Sequence, residues 1–315
     1  MPALFPGWFR PSAALGSGAV SLPPNRAQST KRGETVRKPL AVLVTVAVAL
    51  VIGLVPASAI TDGTPDHQGH PYVGLMVAKN AAGVPQWRCS GTLMSPTVFM
   101  VAGHCTEAPA AEIEIWFDSG DPNGIPLGAG YPAAGPNPCA GITGYPCTGD
   151  VTGLPHTHPQ YDPNAFFLHD LGVVTLDTAV TGKGFGALPS LGQLSTLRKK
   201  DATFTAVGYG LQKSFPPAAA WKDQAIRIRM VAHPKLIQID GGNVGDFAVL
   251  LSNNAHTGGT CFGDSGGPNF IGSSNVVGAV TSFGKNQTCA GTGGGYRVDQ
   301  PDDLAWLTTF GLKPS

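Results

Sequence analysis

Turn-forming residues interrupt this chain so often that long helices have little room to form. Of 315 residues, 43 are glycine and 28 are proline, spread along the whole length. Glycine supplies the positive φ that tight turns need, and proline fixes φ while removing a hydrogen-bond donor, so the segments between them are short. Segments at 72–78, 98–102, 112–117, 172–176, 201–207, 225–231, 247–252 and 276–283 read as strands, several of them alternating with period two. In one of these, Ile226, Ile228 and Met230 alternate with Arg227 and Arg229, which predicts one buried face and one wet face. Near the end, Pro301, Asp302 and Asp303 make a helix start, Leu304, Leu307 and Phe310 an apolar face, and Gly311 a stop. The class expected is all-β, in antiparallel sheet, with one short C-terminal helix.

The N-terminal 59 residues are a separate matter. Lys31, Arg32, Arg37 and Lys38 precede an apolar run over 40–55, and Ala57-Ser58-Ala59 follows as a small-residue cleavage signal. The run is short for a bilayer span, so the expectation is an export signal removed before Ile60 and a secreted product, with retention as a membrane anchor the alternative. Residues 1–59 carry six Lys/Arg and one acidic residue, leaving 14 basic and 19 acidic residues in the remainder. No basic field for nucleic acid remains. No phosphate-binding glycine motif is present either, and nothing repeats at solenoid or propeller periods. Six cysteines, all beyond residue 59, fit three disulfides in an oxidising compartment, and their fifteen possible connectivities stay open on count alone. Residues 118–163 are rich in Gly and Pro, and Cys139 and Cys147 within them are spaced for a locally stapled surface insertion.

Three segments carry chemistry. In Gly263-Asp264-Ser265-Gly266-Gly267-Pro268, glycines on both sides of a serine let the backbone turn tightly and point its amides inward. Together with Cys261-Phe262 this octapeptide resembles the nucleophile segment of the trypsin/chymotrypsin-like serine proteases, in a secreted, bacterial-type form. Val101-Ala102-Gly103-His104-Cys105 resembles their histidine segment, and His169-Asp170-Leu171-Gly172 their aspartate followed by an apolar strand. The order His, Asp, Ser separates this arrangement from subtilisin and the α/β-hydrolases. Asp150 and Asp162 sit in Gly/Pro-rich loops and read as turn residues, so Asp170 is the expected acid.

The resemblance implies a serine endopeptidase acting through His104, Asp170 and Ser265 and an acyl-enzyme, with Gly263 and Ser265 amides as oxyanion hole. It implies two antiparallel Greek-key β-barrels within 60–311: the first at about 60–180 with the insertion at 118–163, the second at about 190–300, and the helix at 301–311. It implies disulfides Cys89–Cys105 and Cys261–Cys289, leaving Cys139–Cys147 as the third. Ser282, Phe283 and Gly284 match the strand that binds substrate backbone, with Phe283 where the family commonly has tryptophan. Val207-Gly208-Tyr209-Gly210 resembles the family's Gly-aromatic-Gly turn. Gly259, six before the serine, matches the base of the specificity pocket and supplies no counter-charge, so neutral side chains are expected before the cut. Ile60-Thr61-Asp62-Gly63 stands where the family's activating N-terminus lies, so removal of the signal would release an Ile60 amine to pair with Asp264.

The expected partner is a protein or peptide substrate, bound by a monomer without stable membrane association or nucleic acid. A non-catalytic binding protein of the same fold and a membrane-tethered processing protease are the alternatives. His156 and His158 are spaced to share a strand face but lack a Cys/Asp/Glu cluster nearby in sequence, so they read as solvated loop histidines. His67, His70, His169, His233 and His256 are isolated in sequence and read as surface or hydrogen-bonded structural residues. No metal and no cofactor are expected.

Overall fold

The computed structural model describes residues 60–121, 125, 149–212, 227–242 and 244–315. The export signal, Cys139, Cys147 and most of the expected insertion lie outside these residues. Among the described residues no helix is long and apolar enough to cross a membrane.

A two-residue strand, β1 (Thr64–Pro65), is the first element among the described residues, and six strands then close into a barrel. They are β2 (Val73–Lys79), β3 (Pro85–Ser95), β4 (Val98–Val101), β5 (Glu112–Trp116), β6 (Val151–Thr157) and β7 (Gly172–Leu176). The closed order is β2-β3-β4-β7-β6-β5, antiparallel throughout, with β2 paired to both β3 and β5. Leu75, Met100 and Val173 share one face of this sheet and Phe99 and Ile115 the other, all five fully buried, and the Phe99 and Phe117 rings meet edge to face at 5.8 Å.

The second unit contains β8 (Phe204–Gly208), β9 (Met230–Ala232), β10 (Leu236–Ile239), β11 (Ala248–Asn253), β12 (Pro268–Ile271), β13 (Val277–Gly284) and β14 (Gly291–Arg297). With β1 these form one eight-stranded sheet, ordered β1-β9-β8-β12-β13-β14-β11-β10. This sheet curls towards closure through one interrupted run. β9 pairs with β8, β10 pairs with β11, and between them Phe204 N–H donates to Pro234 O and Leu236 N–H to Ala202 O. Pro234 cannot donate to a ladder, which explains why the run is split there. The helix follows as α1 (Pro301–Thr308), with Pro301 in its first turn and Leu304 and Leu307 buried.

The architecture is the expected one, and several elements within it differ from the sequence reading. Residues 151–157, assigned to the insertion, form β6 and complete the first barrel. Most of β3, together with β10, β12 and β14, was not foreseen. Of the expected strand at 225–231, residues 225 and 226 lie outside those described, the remainder is strand only from Met230, and Arg229 is not on a wet face. It is wholly buried, its Nε donating to Asp66 Oδ2 at 2.8 Å and its other nitrogens to Val73 O, Phe117 O, His67 O and the Tyr209 hydroxyl. The planar guanidinium spends its donors on partners from both sheets and from the segment after β1, which makes its burial tolerable.

Candidate active site

His104 lies in a 3-10 turn, Gly103–Cys105, at the end of β4. The Cys89–Cys105 disulfide and a hydrogen bond from Trp87 Nε1 to Cys105 O tie that turn to β3. Asp170 enters from the loop before β7. It follows His169, whose φ of +51° starts a tight turn closed by Leu171 N–H to His169 O. The two residues meet directly. The buried Asp170 carboxylate accepts from the His104 backbone N–H at 2.9 Å, and His104 Nδ1 lies 3.0 and 3.1 Å from its two oxygens. Gly172 permits this approach, because a Cβ there would strike Ala102 O and the Thr106 hydroxyl.

A further donor comes from the second sheet: Ser282 Oγ–H bonds Asp170 Oδ2. The register of β13 on β14 slips between Thr281 and Phe283, so Ser282 sits at a bulge, a device that re-aims a side chain. Burial works against protonation of His104, but the charge of Asp170 and the hydrogen bond to it, with a smaller contribution from Glu107, together outweigh it. The imidazole pKa is therefore raised above its ordinary value.

Ser265 follows Gly263, whose φ is +92°, and precedes Gly266, at +75°; both angles favour glycine. Ser265 O accepts from Ser90 N–H of β3, and Gly266 packs so tightly on Ser90 O and Ala102 N that no Cβ would fit. The serine segment is thus seated against the strand and turn that carry His104. Among the described residues neither the Gly263 nor the Ser265 amide donates to another protein group, so both are available to an incoming oxygen. No hydrogen bond joins Ser265 Oγ to His104 within the described residues; nucleophile–base bonds are commonly long until substrate arrives.

Ser90 of β3 joins these parts. Its hydroxyl donates to Gly263 O and accepts from Tyr209 N–H, both at 3.0 Å, joining the barrel to the serine loop and to the Gly208–Gly210 turn. That turn has a physical reason for its glycines. Asp264, fully buried, accepts from Gly210 N–H at 2.7 Å and from Cys261 N–H at 2.9 Å, and a Cβ on Gly208 or Gly210 would overlap its carboxyl group. Burial pushes Asp264 up to about 7, opposed by those two amides and by the nearby Arg88 charge. The Ile60 side chain is fully buried against Ala206, Ile228, Met230 and Ala232.

Around the expected pocket, Gly259 N–H donates to Thr61 O, and the Thr61 hydroxyl bonds Gly259 O and Asn253 Oδ1. The Asn253 side chain occupies the space a Cβ on Gly259 would need. Phe283 lies over Gly294, and Gly284 opens to solvent. β12 leaves β13 at Pro268↔Val280, so the edge of β13 beyond that point carries no strand partner among the described residues. The Cys261–Cys289 disulfide closes the loop beside it.

The remaining histidines need correction. His156 lies on β6 with Nε2 2.9 Å from the Thr175 hydroxyl, and His158 is only 4% exposed, stacked on His169 at 5.2 Å. Neither is a solvated loop residue. His169, isolated in sequence, has its Nδ1 3.2 Å from Asp302 Oδ2. Asp162 accepts from Asn164 N–H, a turn bond of the kind expected, whereas Asp150 accepts from Phe117 N–H, far from it in sequence.

Residues 148–301 match the Trypsin family model. This is the trypsin-like fold. Among solved structures with it, HL collagenase gives a TM-score of 0.58 at 18% identity, covering 81% of this chain and 100% of that one. Human heparin binding protein gives 0.55 at 17%, covering 81% and 99%. At these identities the likeness is one of fold. No curated protein matches the chain in sequence.

Proposed function

We propose that this trypsin-like protein is a secreted serine endopeptidase in which Ser265 attacks the peptide carbonyl, His104 moves the proton and Asp170 orients His104. The observation that carries this reading is the set of donors around the buried Asp170. The His104 backbone N–H and Ser282 Oγ leave the carboxylate one productive role, which is to hold the imidazole with its proton on Nδ1 and Nε2 free for the serine. Attack transfers the Ser265 proton to Nε2, and the imidazolium then returns it to the leaving amine; water repeats the cycle on the acyl-enzyme. The Gly263 and Ser265 amides receive the oxyanion, one such donor contributing about 2.7–4 kcal/mol to the transition state.

Substrate backbone adds to the free edge of β13 at Ser282, Phe283 and Gly284. The uncharged surroundings of Gly259 and the filling of its floor by Asn253 favour small neutral side chains before the cut. Release of the amine at Ile60 supplies Asp264 with a cation. A neighbour named for binding heparin makes a non-catalytic reading the competitor, and the complete constellation of His104, Asp170, Ser282 and glycine-flanked Ser265 favours catalysis.

The test is hydrolysis of casein and of a peptide library by the protein recovered from medium, beside Ser265→Ala, with N-terminal sequencing. Cleavage that depends on Ser265, follows neutral side chains and coincides with an Ile60 N-terminus is expected. Equal turnover by the Ser265→Ala protein would sink the proposal, as would cleavage confined to Lys or Arg sink the pocket assignment.

A further inference from the structure

One residue before Asp170, four metal-ligand side chains converge from three separate stretches of the fold. His158 stands at the end of β6, His169 in the turn that presents Asp170, and Asp302 and Asp303 in the first turn of α1, with one ligand atom from each lying within 4.8 Å of all the others. Two of the separations are diagnostic. His169 Nδ1 is 3.2 Å from Asp302 Oδ2, and His158 Nε2 is 3.6 Å from Asp303 Oδ1. In a tetrahedral zinc site with metal–ligand bonds of about 2.0–2.1 Å, neighbouring ligand atoms sit about 3.3 Å apart.

The cluster is also poorly explained as hydrogen bonding alone. Asp303 is fully buried, and although its Oδ2 accepts from the Tyr296 hydroxyl at 2.7 Å, its Oδ1 has no hydrogen-bond partner. His169 Nδ1 is buried and equally without one. Buried polar atoms ordinarily find a partner, so a carboxylate oxygen and a ring nitrogen without hydrogen bonds, facing one small volume beside Asp302, indicate a cation.

We propose that His158, His169, Asp302 and Asp303 form a binding site for a zinc-class divalent ion that clamps the Asp170 turn to the start of α1. The donor set, two imidazole nitrogens and two carboxylates, suits zinc or a neighbouring divalent transition metal better than calcium or magnesium, which take oxygen ligands. Gln160 N–H donates to His158 Nδ1 at 3.2 Å, which places the ring proton on Nε2. Coordination through Nε2 moves that proton to Nδ1 and gives up this one long bond. The left-handed backbone at His169 would be held by a metal bond, and Tyr296 extends the connection through Asp303 to β14.

The experiment is calorimetric titration of zinc chloride into the secreted protein carrying Ser265→Ala, with cobalt(II) absorption as a geometric readout. Neither readout depends on peptidase activity, so its failure and that of the proposed function are distinguishable. The expected result is one equivalent bound at micromolar Kd or tighter, with the visible bands of tetrahedral cobalt. Affinity should fall at least tenfold in His169→Gln and in Asp302→Asn, both partly exposed and so tolerant of change, and stay unchanged in a His104→Ala protein. Absence of binding at millimolar zinc, octahedral cobalt spectra, or affinity unaltered in both ligand variants would overturn the site.

Discussion

Asp170 gathers donors from the His104 backbone, the His104 ring and Ser282, and each can be removed separately. Replacing it with Asn keeps the shape and reverses the imidazole tautomer, so kcat should drop about 10⁴-fold with little change in KM. Ser282→Ala leaves the tautomer intact and removes one hydrogen bond to a charged group, an expected loss of about 10–100-fold in kcat/KM. The raised pKa of His104 sets the pH dependence. The protonated ring cannot accept the serine proton, so kcat/KM should fall as pH drops through a pKa above the ordinary histidine value of about 6.5. Its stability contribution has the opposite slope, being present below the ordinary value and lost as pH rises through the raised one. A pH–rate profile with its acid limb below that ordinary value would contradict the pairing. The residues of the site were legible because glycine, serine and histidine have conformational signatures in a few adjacent positions. Ser90 and Glu107 were not, since their roles depend on contacts between segments far apart in sequence.

At the scale of elements, strands with branched apolar residues were readable and glycine-rich ones were not. β7, Gly-Val-Val-Thr-Leu, declares itself, whereas β14, Gly-Thr-Gly-Gly-Gly-Tyr-Arg, has no side-chain pattern and becomes a strand through pairing with β11 and β13. β6 contains Pro155 and was mistaken for loop because its partners on both sides are distant in sequence. The metal-ligand cluster was invisible for the same reason: about 140 residues separate the histidines from the aspartates. The Gly208–Gly210 turn is the converse, a sequence likeness given its cause by structure. Gly210→Ala would drive a methyl into the Asp264 carboxyl, and a loss of about 1–3 kcal/mol of stability together with most of the activity is expected. Chemical denaturation beside a burst-phase assay measures both, and unchanged activity would contradict the role given to Asp264.

At the scale of the whole molecule, buried polar clips join the two β units. Ser90 connects the first barrel to the serine loop, and Arg229 connects the segment after β1 to Val73, Phe117 and Tyr209. Removing the guanidinium leaves the buried Asp66 carboxylate with His70 as its remaining partner, so Arg229→Met should cost up to about 3–5 kcal/mol, read as a lower denaturant midpoint at unchanged slope. A loss within experimental error would mean that His70 alone suffices to hold the Asp66 charge. Both clips hold the cleft geometry on which the central claim rests, that Ser265 is an activated nucleophile. Treatment of the secreted protein with a fluorophosphonate, followed by intact mass and peptide mapping, tests that claim most directly. One adduct on Ser265, abolished in Ser265→Ala and strongly slowed in Asp170→Asn, is the result predicted; a folded protein beginning at Ile60 that takes up no label would contradict it.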